Sequence, residues 1–256
     1  MVPGHRLVLL RHGESEWNRE VLFTGWWDAA LTPLGESQAI AAGQLMDVHG
    51  VRSDVVHTSL QTRAIRTVDL ALLEQGRSWI PVRRDWRLNE RHYGDLTGRN
   101  KIEMAERYGD EQVKVWRRSY DVPPPPITPE NKWNPNHDER YADVPAGKLP
   151  LTECLQDVVE RLLPYWDEAI VPDLRAGRTV LIGAHGNSLR ALVKHLDDIS
   201  ETDIVELNIP TGEPLVYELD DDLRPVEAKP VEERYLRSPK EIRAAAAAVA
   251  RQAEGG

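Results

Sequence analysis

Short apolar runs alternate with longer amphipathic segments along the chain. The apolar runs predict buried strands at residues 7–10, 54–58, 80–82, 180–182 and 215–217. Strands of this length, separated by segments of helical periodicity, favour an α/β fold with a mainly parallel sheet covered by helices on both faces. The pattern therefore predicts a three-layer sandwich.

Capping residues divide the segments between these strands. Thr32 followed by Pro33 predicts the start of a helix, and Gly50 predicts its end. We expect Ser59 to cap a second helix, and residues 188–196 to form a third. In the tail, the run 238–241 reads Ser-Pro-Lys-Glu, which is a capping box ahead of an alanine-rich helix that reaches about Arg251.

Residues 120–150 break this alternation. Eight of the 18 prolines lie there, four of them consecutive at 123–126. One interpretation is a solvated linker, because polyproline is stiff and cannot join a sheet. Trp133 and Tyr141 favour the other interpretation, an ordered insertion that covers a cleft or a subunit face.

Composition narrows the class of protein. The chain has 256 residues and a single cysteine, Cys154, which excludes an internal disulfide framework and indicates a reducing, cytoplasmic setting. A net charge of -10 argues against general affinity for nucleic acid or for an anionic membrane. No apolar run approaches the roughly 18–20 residues of a membrane helix. A small polar partner is the expectation that remains.

Two of the predicted strands end in a histidine followed by glycine. These are Arg11-His12-Gly13 and Ala184-His185-Gly186. Ligands of open α/β sheets bind at the carboxyl ends of the strands. A helix that begins just after His185 would also offer free backbone N–H groups to an anion. The sequence therefore predicts that two imidazoles and a helix terminus converge on one anion.

Arginines close to these histidines support an anion site. Arg63 lies in the first turn of a predicted helix, where a cation opposes the helix dipole by about 0.3–1 kcal/mol. An exposed surface position can carry that cost, so an ordinary surface arginine is one interpretation. The other is that a bound anion bridges the helix end and the guanidinium, with Arg11 beside it, because arginine matches phosphoryl oxygens. His49 fits a helix end and His57 a packed strand, so neither is assigned a role.

Longer motifs carry a resemblance to a known family. They read LVLLRHGESEWN at 7–18, FTGWWD at 23–28, TSLQTRAIRT at 58–67, LNERHYGDLTG at 88–98, YGDEQVKVWRR at 108–118, AHGNSLRALVKHLD at 184–197 and LNIPTGEPLVYEL at 207–219. They resemble the histidine phosphatase superfamily and, more narrowly, its 2,3-bisphosphoglycerate-dependent phosphoglycerate mutases. The resemblance covers almost the whole chain. It implies one phosphoglycerate mutase-like domain over 1–256, with a lid or interface insertion at about 98–150 and a flexible tail from about 235.

The resemblance also implies roles for individual residues. His12 would carry the phosphoryl group, Arg11, Arg63 and His185 would hold its oxygens, and Glu90 would donate and accept the proton. The residues implied to bind substrate are Ser15, Asn18, Thr24, Gly25, Arg91, His92, Tyr93, Lys101, Arg117, Arg118, Gly186 and Asn187. The tail after about Tyr235 would close over the site.

The implied reaction belongs to glycolysis and gluconeogenesis: 3-phosphoglycerate and 2-phosphoglycerate interconvert, with 2,3-bisphosphoglycerate as phosphoryl primer. The sequence contains no HExxH motif, paired CxxC or Walker loop, so we expect a site without metal. The family implies a homodimer or homotetramer. Two alternatives stay open: a phosphatase with the same nucleophile, and a module that only binds a phosphorylated ligand. Arg99, where relatives are expected to be apolar, departs from the family pattern.

Overall fold

A five-stranded sheet forms the centre of the molecule. The computed structural model describes residues 4–145 and 147–254, and its strands lie in the order β3-β2-β4-β1-β5. The strands are β1 His5–Arg11, β2 Val55–Thr58, β3 Val82–Arg84, β4 Val180–Ala184 and β5 Pro214–Leu219. The first four run parallel and β5 is antiparallel to β1. The expected mainly parallel α/β sheet is confirmed.

Helices cover both faces of this sheet. They are α1 Glu16–Arg19, α2 Pro33–Val48, α3 Thr62–Glu74, α4 Lys101–Tyr108, α5 Asp110–Arg118, α6 Leu155–Tyr165, α7 Val171–Arg175, α8 Gly186–Asp197 and α9 Pro239–Glu254. A π-helical turn, Trp166–Ile170, joins α6 to α7. None of the described helices is both long enough and apolar enough to cross a membrane.

The core lies in two layers because successive side chains of a strand point to opposite faces. On one face Leu7 and Leu9 pack with residues of α6, α7 and α8. On the other face Val8 and Leu10 pack with residues of α2 and α3. Gly183 of β4 lies so close to Val68 of α3 that a Cβ at this position would clash. This layering brings the carboxyl ends of β1 and β4 together at one edge of the core.

Several predicted boundaries were correct and others were wrong. Thr32 caps α2 by accepting a hydrogen bond from the N–H of Gly35 (3.1 Å). Ser59, however, does not cap α3, because that helix begins at Thr62. The carboxylate of Asp28, from a distant loop, accepts from the Thr62 N–H instead (2.7 Å). A cap supplied by a remote segment leaves no local signal in the sequence.

Two further boundaries shift by about two residues. β3 is formed by Val82–Arg84 rather than by residues 80–82. α8 begins at Gly186 rather than at Ser188, so the helix follows His185 directly. This earlier start places the first backbone N–H groups of α8 beside the second histidine, and that of Asn187 donates to Glu90.

The proline-rich segment is an ordered insertion rather than a solvated linker. Tyr141 is buried, and Trp133 packs edge-on against Trp17 and Trp27, with ring centroids 5.1 and 4.9 Å apart. Gly98, in a left-handed conformation (φ +79°), lies directly under the Trp133 ring, where a Cβ would clash. These contacts pack the insertion against the segments that follow β1.

The tail begins against the sheet and continues as a helix. Tyr235 forms an isolated bridge with Leu215 of β5. The Ser238 Oγ accepts from the N–H of Glu241, and the Glu241 carboxylate accepts from the N–H of Ser238 (3.1 Å), which confirms the capping box. α9 then runs to Glu254. The last two residues, 255 and 256, lie outside the described residues.

Candidate active site

A polar cavity lies at the carboxyl ends of the parallel strands. Of the residues expected at the site, those that line it are Arg11, His12, Asn18, Thr24, Gly25, Arg63, Glu90, Tyr93, Lys101, Arg117, Arg118, Gly186 and Asn187. They come from segments spread over most of the chain, which the fold brings together. Most of the charged members are cations, so the cavity suits an anionic ligand.

His12 is a buried imidazole with a fixed tautomer. Its Nδ1 hydrogen-bonds the carbonyl oxygen of Gly13 (2.6 Å), so Nδ1 carries the proton and Nε2 keeps its lone pair. Burial, together with the charges of Arg63 and Arg11, holds the pKa of His12 well below its ordinary value. The ring is therefore neutral at physiological pH, as a nucleophilic histidine must be.

His185 faces His12 from the neighbouring strand end. The two ring centroids are 5.0 Å apart. The Nε2 of His185 is hydrogen-bonded to the Ser59 Oγ (2.7 Å). Burial and the charge of Arg63 keep the pKa of His185 well below its ordinary value. His185 is not among the described residues that line the cavity, so it contacts the site through the His12 ring.

Two buried arginines flank the histidines. The Nε of Arg63 donates to the Nε2 of His12 (3.3 Å), and its Nη2 donates to the carbonyl oxygen of Gly25 (2.9 Å). Arg11 donates through Nη1 to the carbonyl oxygen of Ile209 (2.6 Å), while its buried Nε has no partner among the described residues. Burial lowers the pKa of both arginines, but guanidinium groups stay charged in proteins. The structure therefore supports a functional interpretation of Arg63 over an exposed surface arginine.

Glu90 enters the cavity from the loop that follows β3. Its Oε1 accepts from the backbone N–H groups of Arg91 (2.8 Å) and Asn187 (3.1 Å). The second of these donors belongs to the first turn of α8, where the helix dipole favours a carboxylate. Glu90 is 8 % exposed, so it can exchange a proton with a bound ligand while being held in one orientation.

The insertion contributes further cations to the cavity. Lys101 is the first residue of α4, and Arg117 and Arg118 end α5. The Nη2 of Arg118 donates to the Oδ1 of Asn208 (2.7 Å). Burial, followed by the charge of Arg117, lowers the pKa of Lys101 to about 7. An anionic ligand would relieve this mutual repulsion.

Some expected residues support the cavity from behind. Ser15 caps α1 by bonding with Asn18, which lines the cavity. The guanidinium of Arg91 lies 4.6 Å from the Tyr93 ring centroid and donates to the carbonyl oxygen of Arg117 (2.8 Å). Both residues therefore hold neighbours that do line the cavity.

His92 is placed differently from what the resemblance implied. It is fully buried and is not among the described residues that line the cavity. Its Nδ1 accepts from the N–H of Gly94 (3.0 Å), and its ring packs on Trp26 at 5.9 Å. Burial lowers its pKa to about 3. The His92 side chain therefore points away from the cavity, whereas the side chains of Glu90 and Tyr93 line it.

Arg190 is a lining residue that the sequence reasoning missed. It follows Asn187 by three residues, so the two share one face of α8. Its Nη1 donates to the Oδ1 of Asn187 (2.9 Å), and the Nδ2 of Asn187 donates to the Tyr93 hydroxyl (3.2 Å). Burial, followed by the charge of Arg118, lowers the pKa of Arg190 to about 9. The i, i+3 spacing could have revealed it.

Other missed lining residues lack such a signal. They are Leu22, Asn208, Ile209 and Val249. Val249 belongs to α9, so the tail does form part of the cavity wall. No group of three or more histidine, cysteine or carboxylate side chains suited to a metal ion occurs within 4–145 and 147–254.

The fold and the site define a class of protein. Residues 7–229 match the family model of the histidine phosphatase superfamily (branch 1). Among solved structures, the chain is similar to a mycobacterial glucosyl-3-phosphoglycerate phosphatase, with 24 % identity, a TM-score of 0.65, and coverage of 86 % of this chain and 95 % of that one. It is equally similar to YhfR of Bacillus stearothermophilus, with 24 % identity, a TM-score of 0.65, and coverage of 87 % and 95 %. These likenesses concern the fold.

More similar sequences narrow the class. A 2,3-bisphosphoglycerate-dependent phosphoglycerate mutase of Nocardioides sp. is 61 % identical over 97 % of this chain and 98 % of its own length. Enzymes with the same name from Thermobifida fusca and Clavibacter sepedonicus are 62 % and 57 % identical, over 86 % and 98 % of this chain and 89 % and 98 % of their own lengths. The chain therefore belongs to the histidine phosphatase superfamily and, within it, to the 2,3-bisphosphoglycerate-dependent phosphoglycerate mutase family.

Proposed function

We propose that the protein interconverts 3-phosphoglycerate and 2-phosphoglycerate, a step of glycolysis and gluconeogenesis, by two phosphoryl transfers through His12. The observation that carries this proposal is the state of His12. It is neutral and buried, its proton is fixed on Nδ1, and its Nε2 faces the guanidinium of Arg63 at a polar cavity. Family membership supports the same activity.

In the first transfer, the free hydroxyl oxygen of the bound monophosphoglycerate forms a bond to the phosphorus carried by His12 while the bond from phosphorus to Nε2 breaks, which gives a bisphosphorylated intermediate. Phosphoryl transfer depends mainly on positioning and charge stabilisation. Arg11, Arg63 and His185 supply donors to the phosphoryl oxygens. In the second transfer, the Nε2 of His12 forms a bond to the other phosphorus while the bond from that phosphorus to the glycerate oxygen breaks, which recharges His12 and leaves the isomer.

Glu90 accounts for the protons in both transfers. When the substrate oxygen loses phosphorus, Glu90 donates a proton to it, which leaves a neutral hydroxyl and a carboxylate. When a hydroxyl oxygen attacks phosphohistidine, Glu90 takes the proton back. The backbone donors at Arg91 and Asn187 stabilise the carboxylate form between these events.

The residues present fit 2,3-bisphosphoglycerate as primer. The buried Arg11 Nε, which has no partner among the described residues, and the guanidinium of Arg63 can receive one phosphoryl group. Lys101, Arg117 and Arg118 can receive the other acidic groups. When bound, the primer supplies the phosphoryl group that first charges His12. No metal is needed, because the cations of the chain neutralise the charge.

A phosphatase with the same nucleophile is the second candidate. What favours the mutase is the wall of the cavity that α4, α5 and α9 provide. Their cations can retain a bisphosphorylated intermediate while it reorients, and Val249 helps to close the cavity to water. In an assay with 2,3-bisphosphoglycerate, isomerisation should exceed release of free phosphate. The opposite ratio would assign the protein to the phosphatases.

Replacement of His12 tests the proposal directly. His12→Ala should form no acid-labile phosphoenzyme and should lose almost all turnover, because no other described group offers the nucleophile. His57→Gln is a matched control, since it removes a buried histidine that does not line the cavity. Phosphoenzyme is measured by acid lability of the bound phosphate. Substantial mutase activity in His12→Ala would refute the mechanism, and binding without phosphoenzyme in the unaltered protein would indicate a binding module.

We also propose that the protein forms a homodimer or a homotetramer in the cytoplasm. β3 lies at the edge of the sheet, and Trp79 just before it is 74 % exposed, with Leu73 of α3 also exposed. An open strand edge beside apolar side chains suits pairing with a second copy. Sedimentation of the unaltered chain and of Trp79→Asp tests the interface, and a monomer in the unaltered chain would contradict it. The reducing setting is supported by the single cysteine.

A further inference from the structure

Gln61 is a fully buried, uncharged side chain directly behind the cavity. It is the residue that precedes α3, and it does not line the cavity among the described residues. Its Oε1 accepts from the backbone N–H of Glu90 (2.8 Å), and its Nε2 donates to the carbonyl oxygen of Gly25 (2.8 Å). One amide therefore joins the loop after β1 to the loop after β3.

The carbonyl oxygen of Gly25 also holds Arg63, one of the residues proposed to bind the phosphoryl group. It accepts from the Nη2 of Arg63 (2.9 Å) as well as from Gln61. Gly25 has a positive φ of +53°, and a Cβ there would press on the backbone N of Tyr93, so this carbonyl is held in a conformation that favours glycine. Gln61 and Arg63 are thus anchored to the same atom.

A second connection reaches His185. The backbone N–H of Gln61 donates to the Oγ of Ser59 (3.2 Å), and this oxygen is hydrogen-bonded to the Nε2 of His185 (2.7 Å). Through three hydrogen bonds, Gln61 contacts the supports of Glu90, Arg63 and His185.

The peptide of Glu90 depends on Gln61 for one of its two anchors. On the carbonyl side, the Nη2 of Arg161 donates to the Glu90 oxygen (2.9 Å). On the amide side, the backbone N–H of Glu90 donates to the Oε1 of Gln61. Without that acceptor a buried N–H would lose its partner, and the loop would shift to find another.

We propose that Gln61 is a positioning residue that fixes the distance between the Glu90 carboxylate and the phosphoryl group held at Arg63 and His12. The inference rests on the proposed function. Proton transfer and phosphoryl transfer must occur in one geometry, and the two groups lie on separate loops. An amide is suited to this task because it accepts and donates at once without adding a charge beside the phosphoryl group. A carboxylate could not donate to Gly25, and an apolar side chain could do neither.

Gln61→Met tests this role, because it keeps length and volume but removes both side-chain hydrogen bonds. We expect kcat to fall about 10–100-fold, as for a small misplacement of a catalytic group. KM should change by less than about threefold, since the cations that bind substrate are untouched. Gln75→Met is the matched control. Gln75 is also buried and donates to the carbonyl oxygen of Val51 (2.9 Å) at the far end of α3.

The control separates positioning from stability. Both variants should lower the melting temperature, but only Gln61→Met should lower kcat. Equal kcat in the two variants and the unaltered protein would overturn the proposal. Gln61→Leu, which is shorter, replaces Gln61→Met if the methionine variant does not fold, with the same expected results.

A double-mutant cycle tests whether Gln61 acts through Glu90. In a Glu90→Gln background, Gln61→Met should cost less than about threefold in kcat, because the group it positions is already gone. The same loss in both backgrounds would show that Gln61 does not act through Glu90 and would overturn the inference. Full kcat in the single variant Glu90→Gln would overturn the acid–base role of Glu90. This outcome concerns the proposed function and differs from an equal loss in both backgrounds, which concerns only Gln61.

Discussion

Two buried histidines in this sheet have opposite surroundings. His12 follows β1, and its Nδ1 donates to a carbonyl oxygen while its Nε2 accepts from the cationic Arg63 (3.3 Å). His57 lies inside β2, and both of its nitrogens are bonded, Nδ1 to the Tyr165 hydroxyl (2.8 Å) and Nε2 to the Asp173 carboxylate (2.9 Å). Burial lowers the pKa of both rings.

The neighbouring charges separate the two sites. Arginines lower the pKa of His12 further, whereas Asp173 acts against the effect of burial on His57. Asp173 is itself paired with Arg83 and Arg178, so its carboxylate is neutralised by partners within the protein. The arginines at His12 instead have donors left for a ligand. A buried imidazole is suited to phosphoryl chemistry when the neighbouring cations still have hydrogen-bond donors for an anionic ligand.

The largest effect is expected at the arginine that distinguishes the two sites. Arg63→Met should lower kcat by about 10²–10³-fold, because it removes a preorganised donor to the transferring phosphoryl group. Steady-state kinetics and phosphoenzyme formation measure the loss. Arg66→Met on the same helix is the control, since Arg66 is exposed and paired with Glu36, and it should leave kcat unchanged. Equal kcat in both variants would show that Arg63 does not assist phosphoryl transfer at His12.

A smaller effect is expected from the pH dependence of substrate binding. Lys101 has a pKa of about 7 in the free protein, so raising the pH through this value converts the ammonium to the neutral amine. The neutral amine attracts an anion less, and KM should therefore rise severalfold above pH 7. Lys101→Arg keeps the charge and should flatten this rise. A KM profile that is the same in both proteins would show that Lys101 does not contact the substrate.

The smallest effect on activity is expected at the cluster around His57. Asp173→Asn removes the carboxylate that receives His57, Arg83 and Arg178, and should lower the free energy of unfolding by about 1–3 kcal/mol. Its kcat should stay within about twofold of the unaltered value, because the cluster does not line the cavity. Denaturant unfolding and steady-state kinetics give the two numbers. A loss of kcat comparable with that of Arg63→Met would join the two regions into one site.

Helix α3 shows why local signals stop short of the site. Its amphipathic pattern was enough to predict the helix and to place Arg63 in the first turn. The same pattern gave the wrong cap, because the cap comes from Asp28, 34 positions earlier. Ser59, freed from capping, hydrogen-bonds His185, which lies 126 positions away. Contacts across such separations depend on where the sheet places each loop.

By itself the sequence determined the alternation of strands and helices, the two strand ends that carry His12 and His185, and the family. These follow from side-chain periodicity, local capping and contiguous motifs, all of which are properties of neighbouring residues. Only the tertiary structure decided that His92 faces away and that Gln61 links Glu90 to Gly25. The direction of a side chain and the partners of a buried amide are set by packing between distant segments, which no local pattern contains.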